Sequence, residues 1–232
     1  MMVLKKLMNK LKILNPEDLI FIKNIGKNGH EQKSVEYNLL RDEQDNRYFE
    51  IKADRCSSID VNKIQPLIKY SQQETNHLVE IYYYEKEHVI TKYYKDYFPL
   101  IVVQGNKELY SKEKLVEIKE FSMAFLSNFD QIENLWIKLK KEYENLYKEA
   151  HLFHKDISGN NLLINNKLDF KIIDIHSISD KIEDMTVNPL EQFLIKGCNN
   201  LNKQKIFEEF ISEKLINNIV EKLKTLEEYL II

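Results

Sequence analysis

Three polar side chains in the second half of the chain could together carry out phosphoryl transfer. Asp156 lies in the segment His154–Asn161, and Asp174 ends the apolar run Ile172-Ile173. The carboxylate of Asp174 and the amide oxygen of Asn161 are the kinds of ligand that Mg²⁺ takes, and Mg²⁺ takes few ligands from a protein. The carboxylate of Asp156 can accept a proton from a hydroxyl group or orient that hydroxyl. Phosphoryl transfer needs little more from a protein than such positioning and neutralisation of phosphate charge.

The elements that position these residues are predicted by the spacing of apolar side chains. Gln131–Ala150 repeats apolar residues at steps of three and four, which is typical of an amphipathic helix. Leu162–Ile164 and Phe170–Ile173 are predicted to pair as a hairpin around Asn165-Asn166. This hairpin would bring Asn161 and Asp174 to one side, while His154 is expected to hold the loop that carries Asp156.

The first half of the chain predicts five short strands and one helix. Gly26–Gly29 is expected to form the turn between the first two strands, and the second half adds a helix over Glu113–Leu126 and one over Lys203–Leu230. The predicted strands are Leu19–Ile25, Val35–Arg41, Arg47–Ala53, Leu78–Tyr84 and His88–Tyr94, and the helix between the third and fourth is Ser57–Gln73. The sequence therefore predicts an α+β fold.

Composition narrows the class of protein. The 232 residues carry a formal net charge of −3, so no global positive field draws the chain to nucleic acid. Cys56 and Cys198 are isolated in sequence, which suits a reducing compartment and provides no metal-site spacing. No stretch is long and apolar enough to span a membrane. We therefore expect a cytoplasmic protein with no nucleic-acid partner.

Residues 1–16 are predicted to form an amphipathic helix. Over residues 1–14 the leucines recur at helical spacing, and the charges there are Lys5, Lys6, Lys10 and Lys12. Such a helix can pack against its own domain. It can also rest on an anionic membrane surface, here the inner face of the membrane, through its basic residues. The sequence leaves both alternatives open.

The pattern H-x-D-x-x-x-x-N over His154–Asn161, followed by a hairpin and Asp174, resembles the catalytic loop of the protein-kinase-like superfamily. This superfamily includes aminoglycoside phosphotransferases and lipopolysaccharide core heptose kinases. The resemblance implies a two-lobed fold. Residues 17–101 would form the nucleotide-binding lobe, a five-stranded antiparallel sheet with one helix, and residues 102–232 a mostly helical lobe with the catalytic-loop hairpin.

The resemblance also implies a role for individual residues. Asp156 would be the catalytic-loop aspartate, with Asn161 and Asp174 as ligands of Mg²⁺. Lys52, in the third strand, would contact the phosphates of ATP. Gly26 and Gly29 would form a sparse version of the phosphate-binding glycine loop, which usually carries three glycines. The acidic partner of Lys52 would be Glu74 or, as second choice, Asp60.

Two departures from ordinary protein kinases bear on the phosphate acceptor. No lysine stands two residues after Asp156, and Asp174 is followed by Ile175-His176-Ser177 with no glycine and no later A-P-E motif. The resemblance therefore favours a hydroxyl of a sugar or a lipopolysaccharide-type lipid-linked sugar as acceptor. One alternative is a compact effector-like protein kinase that acts on a protein hydroxyl. Another is a pseudokinase, which would bind a partner or nucleotide without turnover. His176 would either contact phosphate or pack.

Overall fold

A computed structural model describes residues 11–30, 33–53, 59–100, 110–155 and 161–181. Within these ranges the chain is mixed α and β, which confirms the predicted class, and it contains three α-helices. It divides into two units, Met1–Tyr93 and Tyr94–Ile232. The predicted boundary lay between residues 101 and 102. It falls earlier because Phe98–Pro99 pairs with a strand of the second unit.

The first unit contains the predicted five-stranded antiparallel sheet, with strand order β1-β2-β3-β5-β4. Helix α1, Val61–Ser71, lies between β3 and β4 and begins after Asp60, whose side chain accepts a hydrogen bond from the backbone N–H of Asn62. This cap explains why the helix begins later than Ser57. The strands are β1 (Ile20–His30), β2 (Lys33–Arg41), β3 (Arg47–Ala53), β4 (Ile81–Tyr84) and β5 (His88–Lys92).

The predicted turn at Gly26–Gly29 is wrong. Both glycines lie inside β1, where Gly26 pairs with Tyr37 and Gly29 with Ser34, and the pairing continues to His30. The register shifts between Asn24 and Gly26, at a β-bulge or irregularity. A glycine tolerates such a shift within a strand. The glycines that indicated a turn therefore mark an irregularity within a continuous pair of strands.

An apolar cluster covers one face of this sheet. Successive residues of a strand point to opposite faces, so Tyr48, Glu50 and Lys52 of β3 share a face. The buried members of the cluster are Leu40, Tyr48, Tyr82 and Ile90, and the partly buried residues packed against it are Leu14, Leu19 and Tyr83. The N-terminal segment thus contributes Leu14 to the core of the first unit.

The predicted helix over residues 1–16 is wrong for its described part. Residues 11–15 are not helical, and residues 1–10 lie outside the described ranges. Gln72 binds the main chain of Lys12 at both polar groups: its Oε1 accepts from the N–H at 2.8 Å, and its Nε2 donates to the carbonyl at 2.6 Å. The N–H of Leu14 donates to the carbonyl of Tyr82 at 3.1 Å. These amide groups are engaged elsewhere and do not form helical hydrogen bonds.

The side chain of Lys12 is likewise engaged by its own unit. Its ammonium donates to the hydroxyl of Tyr48 at 2.9 Å and lies 5.3 and 5.1 Å from the ring centres of Tyr48 and Tyr82. The Tyr48 hydroxyl in turn donates to the carboxylate of Asp42 at 2.8 Å. Residues 11–14 therefore pack against their own unit, which is the first of the two alternatives open for the N-terminal segment.

The second unit contains two long helices and two small antiparallel sheets in its described part. Helix α2, Lys112–Ser127, is capped by Ser111, and helix α3, Phe129–Ala150, by Asn128. Both helices and the predicted hairpin are confirmed. The strands are β6 (Phe98–Pro99), β7 (Phe153–His154), β8 (Leu162–Ile164), β9 (Phe170–Ile172) and β10 (Ile178–Ser179), paired as β6-β8-β9 and β10-β7.

Parts of the sequence prediction fall outside the described ranges. They are the helix over Lys203–Leu230 and the junction near residue 102. In the part of the chain that the structure describes, no helix combines the length and the apolar character needed to cross a membrane.

The attachment of the N-terminal segment can be tested at Gln72. In Gln72→Glu a carboxylate oxygen replaces the Nε2 that donates to the carbonyls of Lys12 and Ile81. We expect the free energy of unfolding to fall by about 2 kcal/mol, because two hydrogen bonds are lost and two acceptors face a negative charge. Urea denaturation measures this change. Gln65→Glu is the matched control, because Gln65 is exposed on the same helix, and it should change stability by less than about 0.5 kcal/mol; equal losses in both variants would contradict the attachment.

Candidate active site

The site is built where helix α3 ends and β7 begins. His151 follows Ala150 in the left-handed conformation, with φ 53°, and ends the helix. The chain then enters β7, in which His154 pairs with Ile178 of β10. The backbone N–H of Lys155 donates to the carbonyl of Ser177 at 2.7 Å. The chain that leads to Asp156 is thus attached to the segment that comes after Asp174.

The hairpin β8–β9 brings Asn161 and Asp174 together. Leu162 pairs with Ile172, and the N–H of Ile173 donates to the carbonyl of Asn161 at 2.9 Å, which extends the strand pairing by one step. Asp174 follows directly. The Nδ2 of Asn161 lies 3.5 Å from the Oδ2 of Asp174, and Asn161 is buried. An amide and a carboxylate that the sequence separates therefore stand side by side.

Asp174 has an uncommon backbone conformation and strong hydrogen bonds. Its φ of 65° and ψ of 58° lie in the left-handed region, which residues other than glycine adopt rarely and often at functional sites. It begins the short 3₁₀ helix Ile175–Ser177. The hydroxyl of Ser177 donates to its Oδ2 at 2.6 Å, and Nδ1 of His176 lies 3.3 Å from its Oδ1.

These contacts decide the ionisation of Asp174. Burial alone would raise the pKa of the carboxyl group. The hydrogen bond from His176, the charge of His154 and the hydrogen bond from Ser177 outweigh burial and hold the pKa below its ordinary value. Asp174 is therefore a carboxylate at neutral pH, the form that can bind a cation.

His154 links β7 to the end of β9 from inside the unit. Its side chain is buried, and its Nε2 lies 2.8 Å from the carbonyl oxygen of Ile173. A carbonyl oxygen only accepts, so this nitrogen carries the proton. The ring thus joins β7 to the residue before Asp174, in agreement with the holding role that the sequence suggested.

Asp156 falls outside the described residues, which stop at Lys155 and resume at Asn161. Both of these flanking residues are hydrogen-bonded to the segment around Asp174: Lys155 to Ser177, and Asn161 to Ile173. The two ends of the loop are therefore attached to one short stretch of chain.

The structure gives Lys52 an acidic neighbour other than the predicted one. Its Nζ lies 3.3 Å from Oε1 of Glu50, on the same face of the same strand. Glu74 is exposed in the turn after α1, and Asp60 caps that helix. Strand alternation places residues two apart side by side, so Glu50 needs no helix to reach Lys52. The ion pair that the structure gives Lys52 is therefore with Glu50, and the partner role of Glu74 or Asp60 stays a prediction.

Glu50 belongs to a buried polar network that the sequence analysis missed. Oε2 of Glu50 accepts from Asn38 at 2.8 Å, and its Oε1 lies 2.8 Å from Nε2 of His88. Asn24 donates to Asn38 at 2.9 Å, which extends the network to a fourth strand. Polar residues at alternate positions of β2 and β3 are the sequence pattern that could have indicated this network. Only the strand register shows that their side chains meet.

Asn161 and Asp174 offer an amide and a carboxylate, which are groups that can contribute oxygen ligands to a metal ion. Within the described residues, no group of three or more His, Cys, Asp or Glu side chains could hold a metal ion. Mg²⁺ is commonly bound through one or two carboxylates, with water and substrate phosphates completing its coordination. One carboxylate beside one amide group, which contacts it through Nδ2, is compatible with that requirement.

The Glu50 network predicts a pH dependence of stability. Burial raises the pKa of Glu50, but His88, Asn38 and Lys52 together lower it from 4.5 to about 2. A lowered folded-state pKa stabilises the fold fully above pH 4.5, and this stabilisation is lost as the pH falls toward 2. We expect Glu50→Gln to cost about 3 kcal/mol at about pH 6 and much less near the folded-state pKa. Chemical denaturation across this range measures it, and a cost independent of pH would contradict the ion-pair network.

Comparison with known proteins assigns the chain to no family. No protein-family model matches it, and no curated protein matches it in sequence. The chemistry open to the site is therefore inferred from its own geometry. That geometry is an ionised aspartate beside a buried asparagine, joined through Ser177 and Ile173 to the strand that leads to Asp156.

Proposed function

We propose that this chain is an ATP- and Mg²⁺-dependent phosphotransferase with a kinase-like two-lobed fold, acting on a hydroxyl of a sugar or a lipid-linked sugar. The observation that carries the proposal is the pairing of Asn161 with Asp174 at the end of the β8–β9 hairpin. The strand order of the first sheet, with one helix between β3 and β4, is what a nucleotide-binding lobe would require.

In this proposal Asn161 and Asp174 would hold Mg²⁺. When bound, Mg²⁺ would supply neutralisation of the phosphate charge that builds up during transfer. Asp174 contributes an ionised carboxylate whose orientation is set by Ser177 and His176. Asn161 contributes a neutral oxygen, and its main chain is held by Ile173.

Asp156 would act on the acceptor. The acceptor hydroxyl passes its proton to this carboxylate while its oxygen bonds to the γ-phosphorus of ATP. The bond from that phosphorus to the bridging oxygen breaks, and ADP leaves. The loop that carries Asp156 needs firm ends for this work, and the bonds from Lys155 to Ser177 and from His154 to Ile173 support that requirement.

Lys52, Gly26 and Gly29 would contact the nucleotide phosphates from the first unit. Lys52 can offer a charge because its side chain is 51% exposed, although it shares that charge with Glu50. The two glycines lie in β1, an edge strand, and backbone N–H groups there that point away from β2 could face a phosphate.

The acceptor is inferred from the residues after Asp174. Ile175–Ser177 form a short 3₁₀ helix from which the Ser177 hydroxyl returns to Asp174, and no glycine stands there. This departure supports a non-protein acceptor. A protein hydroxyl is the alternative, and the fraction that receives the phosphate distinguishes the two.

A second candidate function is nucleotide binding without transfer. It is favoured by the location of the acid that pairs with Lys52: Glu50 lies in the same strand, whereas protein kinases pair this lysine with a glutamate of the helix. A pair formed within the strand does not supply that connection between lysine and helix. The chain would then act as a pseudokinase, with Asp174 and Asn161 retained for binding alone.

Transfer of labelled phosphate tests the proposal. The purified chain is incubated with Mg²⁺, γ-labelled ATP and separate sugar, glycolipid and protein fractions. We expect label in the sugar or glycolipid fraction and a loss of about 10²–10⁴-fold in Asp156→Ala, which removes the proton acceptor. Asp174→Asn should raise the Mg²⁺ concentration for half-maximal rate by more than about tenfold.

Asp169→Asn is the matched control, because Asp169 is an exposed aspartate in the same hairpin. It should transfer phosphate at the wild-type rate. Label in protein would favour the effector-like kinase, and ATP binding with no label in any fraction would favour the pseudokinase. A chain that neither binds nor turns over ATP would overturn both candidates.

A further inference from the structure

We propose that Ser177 is a positioning residue that orients the Asp174 carboxylate toward Mg²⁺ and couples it to the entry of the catalytic loop. The proposal rests on the phosphotransferase function proposed above and deepens it. Ser177 is the third residue after Asp174. In ordinary protein kinases the glycine of D-F-G stands one position earlier, and the resemblance assigns no role to the residue that follows it.

Ser177 contacts Asp174 twice. Its hydroxyl donates to Oδ2 at 2.6 Å, and its backbone N–H donates to the carbonyl of Asp174 at 2.9 Å. A hydrogen bond to a carboxylate at this distance is of the strong, charge-assisted kind. The short 3₁₀ helix places the hydroxyl under the carboxylate, because residues three apart lie on one side of such a helix.

Ser177 also contacts the strand that enters the loop. Its carbonyl accepts from the N–H of Lys155 at 2.7 Å, and the next residue, Ile178, pairs with His154. One residue therefore binds both the carboxylate and the chain leading to the loop.

The hydroxyl leaves Asp174 able to bind a cation. An ionised carboxylate offers about four lone-pair sites, and one bond from Ser177 uses one of them. His176 approaches the other oxygen at the longer distance of 3.3 Å. Asn161 Nδ2 makes a longer contact to Oδ2, at 3.5 Å. The strong bond from Ser177 thus sets the rotation of the carboxylate, and the contacts from described residues leave a lone pair on Oδ1.

Removal of the hydroxyl tests this role. Mn²⁺ is titrated into the full chain with a non-hydrolysable ATP analogue, and water-proton relaxation reports the Mn²⁺ held on the protein. We expect Ser177→Ala to weaken Mn²⁺ binding by about 10-fold or more, the usual effect of losing a residue that orients a metal ligand. Ser177→Cys, which fills the same space with a weak donor, should behave alike, and Ser177→Thr should retain most of the affinity.

Ser179→Ala is the matched control, because the Ser179 hydroxyl accepts from the backbone of Lys181 and makes no bond to Asp174. Circular dichroism checks that each variant is folded. Wild-type affinity in both Ser177→Ala and Ser177→Cys would overturn the positioning role, as would an equal loss in Ser179→Ala. Absence of Mn²⁺ binding by the wild type would instead contradict the proposed metal site itself, and the inference with it.

Discussion

The hydrogen bond from the N–H of Ile173 to the carbonyl of Asn161 is the constraint on which the candidate site depends. It extends the β8–β9 pairing beyond the last strand residues. Asn161, the residue before β8, therefore meets Ile173 and Asp174, the residues after β9. Without it, Asn161 and Asp174 would lie at the two loose ends of a hairpin. With it, an amide and a carboxylate that would disperse in an unfolded chain are held within 3.5 Å.

A second layer of bonds connects this pair to the rest of the unit. His154 and Ser177 join β7, β10 and the end of β9. Their partners are mostly main-chain groups, which keep their positions better than long side chains do. The left-handed backbone conformation of Asp174 is unfavourable by itself, and these hydrogen bonds stabilise it. The site therefore resembles others in which local strain is held by a well-bonded surround.

The first unit contains polar side chains that are buried on one face of its sheet. Glu50 is buried, and it is tolerated because Asn38, His88 and Lys52 all contact its two oxygens. The same face carries the apolar cluster that includes Leu14 and Tyr48. Along this face of β3, Tyr48 lies in the packed core, Glu50 in the polar network, and Lys52 beyond both, so the charge of Lys52 stabilises the buried Glu50.

Short-range patterns determined most of the elements. The apolar period of Gln131–Ala150 and the hairpin around Asn165-Asn166 depend on neighbours in sequence, and both are found. Tertiary contacts decided what those patterns could not. Residues 11–14 have helical spacing, but main-chain amide groups there bond to distant groups instead of to one another, as the N–H of Lys12 does to Gln72. The partner of Lys52 and the contacts of Ser177 likewise depend on strand register and on a 3₁₀ turn, since hydrogen bonds act over about 3 Å and a sequence does not state which atoms come that close.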